Sequence, residues 1–371
     1  MSKLIQLSVN SMVDIIAKKA VAHLKRKGTF GKDFAAFMLW GQPGIGKSQG
    51  IREVAKRIEE LTGKRVNLVD VRLLLFNPVD LRGIPTADAN KENAVWLKPQ
   101  IFQLDSSEDI INIVFLDELS AAPVSVQAAA YQLVLDKMVG EHKFPDNTIV
   151  LAAGNRLTDK AVAVKMPSAL ADRFKHFEIV GDADAWRAWA IRKGFDPMIT
   201  GFIAFKPSAL NTFDPKNDEL VFATPRSWQS VDDDIKDLGI HDAVDLISAT
   251  IGIGLCTEFL AFTETYMSLP NTDDIFAGKD VAVPTNPSVL YAMSSKLASE
   301  ANKLIELDQR GMVKKVDVDK LTHLANYLSK MPVSFATLTT IDILSVKGNI
   351  SGLLKVQAFA KWAKDCKKYI K

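Results

Sequence analysis

Cysteine is nearly missing from this chain. The two present, Cys256 and Cys366, lie far apart in the sequence, so they suggest neither a disulfide framework nor a zinc knuckle and suit a reducing compartment. Histidine is scarce too, and His23, His142, His176, His241 and His323 lack the short spacings of a ligand set. They read as structural histidines, and no metal ligand is assigned to them. No sign of charge predominates: 46 Lys and Arg against 44 Asp and Glu leave a formal +2. No strong overall field therefore pulls the protein toward nucleic acid or an anionic membrane, although a local basic groove is compatible with that balance. The longest apolar stretch, "LISATIGIGLCTEFLAF", is cut by Glu258, and "MSKLIQLSVN" has no signal-peptide core or cleavage site. The expectation is a cytoplasmic protein, neither secreted nor membrane-spanning. What remains is ordinary globular composition, 47% hydrophobic and 24% charged, in 371 residues. That length admits two or three domains, and no internal repeat is visible.

Between Phe34 and about Val180, β-prone runs alternate with helical stretches. "FAAFMLW", "RVNLVDV", "INIVFLD", "TIVLAAG" and "HFEIV" read as five strands, several apolar almost throughout, as strands buried on both faces of a parallel sheet must be. After Val180 the strand signal fades. Helices broken by loops near Pro197, Pro207, Pro215, Pro225 and Pro270 suggest a second, helical domain. "PNTDDIFAGKDVAVPTNPS", rich in turn formers, reads as a linker before further helices.

One loop stands out. "WGQPGIGKSQGIREVA" follows an apolar run and precedes Ile51, Val54, Ala55, Ile58 and Leu61 at helical spacing, with Gly63 placed to cap the helix. Two readings compete. Gly44, Gly46 and Gly50 approximate a dinucleotide fingerprint, with Asp70 near the place of a ribose-binding acid. Alternatively, Gly41, Gly46, Lys47 and Ser48 satisfy G-x-x-x-x-G-K-[ST] between a strand and a helix, so that the stretch Gly41, Gln42, Pro43, Gly44, Ile45, Gly46, Lys47, Ser48 and Gln49 would wrap phosphates. Its backbone N–H groups and helix N-terminus suit an anion, Lys47 reaches the phosphates, and Ser48 offers Mg²⁺ a hydroxyl. A dinucleotide loop has no use for Lys47 or Ser48. An incidental glycine turn is the bland alternative.

"INIVFLDELSAAP" then ends an apolar strand in Asp117 and Glu118, at the carboxyl edge where ligands of parallel sheets bind. Asp117 is suited to hold magnesium, commonly through its water, and Glu118 to polarise an attacking water. Acids favouring the next helix N-terminus would look the same in isolation. A further strand ends "LAAGNR", placing Asn155 at that edge, and "MPSALADRFKHFEIV" carries Arg173 into the last strand.

In this order the features resemble the AAA+ ATPases, and over residues 30 to 240 the chain is most similar to their MoxR-type branch. "FNPVDLRGIP" through "VWLKPQIF" matches that branch's insert before the acidic strand. The resemblance implies an α/β, P-loop αβα core with a five-stranded parallel sheet over residues 1–180, with the insert around 76–104. An α-helical lid over 181–270 and a C-terminal helical extension over 271–371 follow. It implies ATP and Mg²⁺ as cofactors, Asn155 as the sensor aligning the water, and Arg173 as an arginine finger reaching a neighbour's nucleotide. Arg226 in "FATPRSW" becomes the lid residue touching nucleotide in cis, and Arg156 an assistant at the subunit boundary. Each has a plain alternative: Asn155 as a turn cap, Arg173 paired with Asp172, Arg226 with Asp232. The implied assembly is a homo-oligomer, expected as a hexameric ring, with chaperone-like remodelling as its task. The implied partner carries a von Willebrand factor A-type domain.

The chain departs from that branch after the acids, where Leu119, Ser120 and Ala121 stand in place of Asn-Arg-Ala. Its "KWAKDCKKYIK" end reads as a solvated helix face before a docking patch. Two rival functions stay open: a nucleic-acid motor or restriction-type translocase, disfavoured by the near-neutral charge, and a nucleotide-gated binding module with little turnover, disfavoured by Glu118 and Asn155.

Overall fold

The computed structural model describes residues 4–159, 164–217, 219–308 and 310–359. The basic "KWAKDCKKYIK" stretch, with Cys366, lies outside them. The chain divides into two compact units, one running to Gly181 with a short return at 214–217, the other comprising Asp182–Phe213 and the described residues from Glu219 on.

The first unit is built on strands β1 (Ile5–Leu7), β2 (Ala36–Trp40), β3 (Arg65–Arg72), β4 (Ile110–Asp117), β5 (Thr148–Gly154) and β6 (Phe174–Ile179). They form one sheet in the order β1-β6-β2-β5-β4-β3, all pairs parallel. The sheet thus has six strands, not the expected five. β1 is three residues long with Ile5 largely exposed, too short to show a period, and is defined by pairing Ile5 with Phe177.

Alternation along each strand feeds two cores. On one face Phe37, Leu39, Ile113, Phe115, Ile149 and Leu151 meet helices α1 (Val9–Lys27) and α2 (Lys47–Thr62) through Met12, Ile16, Ile51 and Ile58. On the other, Met38, Val114, Leu116, Val150 and Ala152 meet the helix Val124–Leu135. Burial on both faces explains the unbroken apolar strands.

The topology also decides between the two readings of the glycine loop. In a dinucleotide fold the strand after the glycine-loop helix pairs with the strand before it. Here β3 lies at the far edge, separated from β2 by β5 and β4. Gly50 serves packing instead: a Cβ there would stand 2.5 Å from Met12 Cε, so its bareness lets α1 lie against α2.

Between β3 and β4, the segment 76–104 forms a short helix, Pro78–Arg82, and a hairpin pairing Ile84–Ala87 with Ala94–Leu97. A second hairpin, Met138–Val139 with His142–Lys143, meets it where a ring nitrogen of His142 lies 2.7 Å from the Trp96 carbonyl.

The second unit is helical. Pro197, Pro207 and Pro225, expected as breaks, begin helical segments instead, each at a first-turn position where its missing N–H leaves no bond unmade. Trp228, Phe202 and Phe259 form its aromatic centre, and Trp228 Nε1 donates to the Ala209 carbonyl at 2.9 Å. The helices Ile253–Met267 and Pro287–Lys303 belong to this same core, so the line drawn at residue 270 corresponds to no break in packing. The expected linker is folded as well. Ile275 and Phe276 are buried, a ring nitrogen of His323 lies 2.9 Å from the Phe276 carbonyl, and Asn286 caps the next helix. Its turn formers are interleaved with apolar residues that find a core. No helix among the described residues is long and apolar enough to cross a membrane.

Candidate functional site

The C-terminal ends of β2, β4 and β5 deliver Lys47, Ser48, Asp117, Glu118 and Asn155 to one edge of the sheet. After Trp40 the chain turns through Gly44 and Gly46, at φ of 73° and 99°, and enters α2 at Lys47. Positive φ disfavours a side chain, which is why glycine stands at both places. No side chain caps α2, which suits a helix N-terminus that meets an external anion. Gly41 is constrained differently: a Cβ would stand 2.8 Å from the Ile179 carbonyl. Gln49 turns back to Glu53 at 3.2 Å.

Lys47 is 9% exposed. Its Nζ donates to the carbonyls of Gly41 and Gln42 at 2.7 and 2.9 Å and to Asn155 Oδ1 at 2.9 Å. Ser48 Oγ donates to Asp117 Oδ2 at 2.8 Å. The lysine and serine of the loop are therefore tied to the two strand-end residues singled out in the sequence. Asp117 Oδ1 accepts the Glu118 N–H at 2.9 Å.

Glu118 has φ of 57°, a left-handed conformation that a non-glycine residue keeps only where its surroundings enforce it. Buried Leu119 supplies one restraint, donating its N–H to the Ala153 carbonyl at 3.0 Å. Ala121 supplies another through its N–H to the Glu118 carbonyl at 2.9 Å. The carboxylate itself accepts no hydrogen bond among the described residues.

Ser120 was not singled out as a site residue, yet it organises the edge. Buried, it accepts the Asn155 N–H on Oγ at 2.9 Å, and a Cβ on Gly154 would stand 2.5 Å from that oxygen. The only available signal was its position two residues beyond the paired acids. Asp70 is also drawn in. It faces α2 with Arg52 at 3.5 Å, and burial, reinforced by the nearby Asp117 carboxylate, pushes its carboxyl above the ordinary range.

Arg156 turns inward rather than outward. It donates to Asp159 through Nε and Nη2 at 3.0 and 2.7 Å, and to Glu178 through Nη1, so its guanidinium is engaged within its own chain. Arg173 is exposed, one residue past the cap of the short helix Ser168–Ala171. Among the described residues no ion pair engages it, and Asp172 does not. Arg226 is exposed in the helix Pro225–Leu238 of the second unit. Asp232, its suggested partner, instead pairs with Lys236 at 2.6 Å.

Residues 37–181 match the model of the "ATPase family associated with various cellular activities (AAA)". That match lies within the unit that holds the glycine loop. No curated protein matches it. Among solved structures, the ORC2 protein of Aeropyrum pernix is similar at 12% identity, covering 92% of this chain and 96% of that one with a TM-score of 0.41. A RuvB variant from Thermotoga maritima is similar at 13% identity, covering 88% and 98%, with a TM-score of 0.37. PCH-2 of C. elegans is similar at 14% identity, covering 92% and 69%, with a TM-score of 0.35. At such identities and scores, the match of residues 37–181 is the finding that bears on this chain.

Proposed function

We propose that this chain is a ring-forming, MoxR-like AAA+ ATPase that hydrolyses ATP at its β–γ linkage with Mg²⁺ and uses the cycle to remodel a protein partner in the cytoplasm. The observation that carries the reading is the meeting of Lys47, Ser48, Asp117 and Asn155 through hydrogen bonds at one edge of the sheet. An uncapped helix N-terminus beside a buried lysine fits a polyphosphate. The hard oxygens of Ser48 and Asp117 fit Mg²⁺, which when bound neutralises phosphate charge.

The division of labour follows from what each side chain has to offer. Lys47 exchanges carbonyl and amide oxygens for phosphate oxygens. Glu118, held in a forced conformation with its carboxylate unengaged, takes the proton of the attacking water. Asn155 orients that water, Arg226 contacts nucleotide in cis, and Arg173 is lent to an adjoining copy of the chain, expected in a hexamer. A partner bearing a von Willebrand factor A-type domain completes the proposal by resemblance.

Two variants test the chemistry. Lys47→Ala should lose nucleotide binding, whereas Glu118→Gln should bind ATP and fail to turn it over. Equal loss of binding in both rejects the division of roles. Nicotinamide-dependent activity without ATP turnover rejects the reading altogether.

A further inference from the structure

Arg173 follows a helix of only four residues, Ser168–Ala171, far too short to hold itself. Buried Leu170 anchors it from one side, and the Arg173 N–H reaches the Leu170 carbonyl at 3.1 Å. Phe174, the next residue, is buried and held in the sheet opposite Ala36, and a further anchor is a ring. His176 Nε2 lies 2.7 Å from the Ala171 carbonyl, and His176 Nδ1 lies 2.9 Å from Trp40 Nε1.

The chemistry of the two neighbours fixes the tautomer. An indole nitrogen only donates, so Nδ1 must accept; a carbonyl only accepts, so Nε2 must carry the proton. Trp40 thereby selects, of the two neutral tautomers of His176, the one that can hold Ala171. The rings of Trp40 and His176 also lie nearly parallel, 18° apart. Trp40 is the last residue of β2, immediately before Gly41 and the phosphate loop. The chain Trp40–His176–Ala171 therefore runs from the strand that ends in the loop to the turn that carries Arg173.

We propose that His176 is a positioning residue for Arg173: held in its Nε2–H tautomer by Trp40, it fixes the 171–173 turn so that the arginine is presented to an adjoining subunit. The proposal rests on the assignment of Arg173 as a finger lent in trans. It gives His176 no contact with nucleotide in its own subunit. Loss of His176 should therefore spoil what a subunit lends and spare what it binds.

Subunit mixing separates those two properties. His176→Phe should bind nucleotide within about twofold of wild type and lose at least tenfold in turnover. Co-assembled with Lys47→Ala, whose own pocket is spoiled but whose Arg173 is intact, it should regain activity, as Arg173→Ala should. Co-assembled with Arg173→Ala it should regain none, because neither subunit lends an arginine. His176→Gln, which retains an acceptor and a donor, should recover part of the activity. If His176→Phe does not fold, Trp40→Phe, which removes the indole donor that selects the tautomer while keeping an aromatic ring, should give the same pattern.

Failure of the His176 and Lys47 mixture while the Arg173 and Lys47 mixture recovers overturns this inference alone. Full activity of His176→Phe on its own does the same. Failure of the Arg173 and Lys47 mixture, with co-assembly verified, removes the lent arginine and this inference with it.

Discussion

Lys47 Nζ donates to Asn155 Oδ1 at 2.9 Å, so the ammonium assigned to phosphate and the amide assigned to water share a hydrogen bond. A phosphate must compete with that amide for the lysine. Asn155→Ala removes the competitor, and nucleotide affinity should stay equal or tighten a few-fold. Turnover should fall by about 10², the scale of one positioned hydrogen-bonding group in a reacting site. Titration with a fluorescent nucleotide and steady-state hydrolysis measure both. A loss of affinity as large as that of Lys47→Ala would make Asn155 part of the binding loop instead.

Ser120 and Gly154 form a second pair with opposite requirements. Ser120→Ala leaves the Asn155 N–H without its acceptor, which costs about 1–3 kcal/mol where water cannot replace it. Gly154→Ala drives a methyl to 2.5 Å from Ser120 Oγ and 2.8 Å from Met38 Cε, an overpacking worth roughly 1–3 kcal/mol. Denaturant midpoints should fall in both, and Gly154→Ala should lose less in a Ser120→Gly background. Additive losses would mean that the two residues do not share the space described.

The inward-facing Arg156 makes a distinct forecast. Asp159 is 1% exposed and depends on that guanidinium. Arg156→Ala should therefore destabilise the first unit by roughly 2–4 kcal/mol, less than a fully buried pair because Arg156 still meets solvent. Asp159→Asn added to it should return part of the loss. Unchanged stability with failed subunit mixing would restore Arg156 to the boundary role expected from the sequence.

In the second unit, Arg187 Nη2 and Asp342 Oδ2 lie 2.6 Å apart, both side chains 3% exposed. Asp342→Ala leaves the buried arginine, among the described residues, only the Thr200 carbonyl at 2.9 Å and the exposed Asp184 at 3.6 Å and should cost about 3 kcal/mol. Burial, partly offset by Arg187, pushes the Asp342 carboxyl up to about 6. With the folded value above the unfolded one, the folded state holds the proton more tightly, so this contribution is present at low pH and lost as pH rises through about 6. The thermal midpoint of wild type minus that of Asp342→Asn should therefore grow as pH is lowered from 7 toward 5. A difference that shrinks would reverse the direction assigned to Asp342.

Legibility in the sequence followed periodicity and local motif. α2 begins at Lys47 and ends at the Gly63 cap because both its apolar spacing and its terminal glycine are written locally. The strands ending in Asp117 and Gly154 were legible because burial on both faces leaves unbroken apolar runs. The role of Ser120, the reach of Arg156 to Glu178 and the bond between His176 and Trp40 were not, since each depends on strands that only the sheet order brings together. The segment 270–288 was misread for a related reason. Turn formers announce a change of direction, and only tertiary packing tells whether Ile275 and Phe276 between them are buried.

β1 has a consequence in time rather than in space. Gln6 on β1 and Glu178 on β6, joined at 3.1 Å, are 172 residues apart. At roughly 5–20 residues per second of synthesis, β1 waits on the order of ten to thirty seconds for the strand it pairs with. During that interval β2 also lacks β6, so Phe37, Met38 and Leu39 border an open strand edge, the kind that recruits other extended chains. When β6 emerges it closes that edge, captures β1 and brings Glu178 to Arg156 beside Asn155. A nascent chain stalled between β5 and β6 already has Lys47, Asp117 and Asn155, yet it still offers that open edge, and translation speed over residues 155–179 sets how long that exposure lasts.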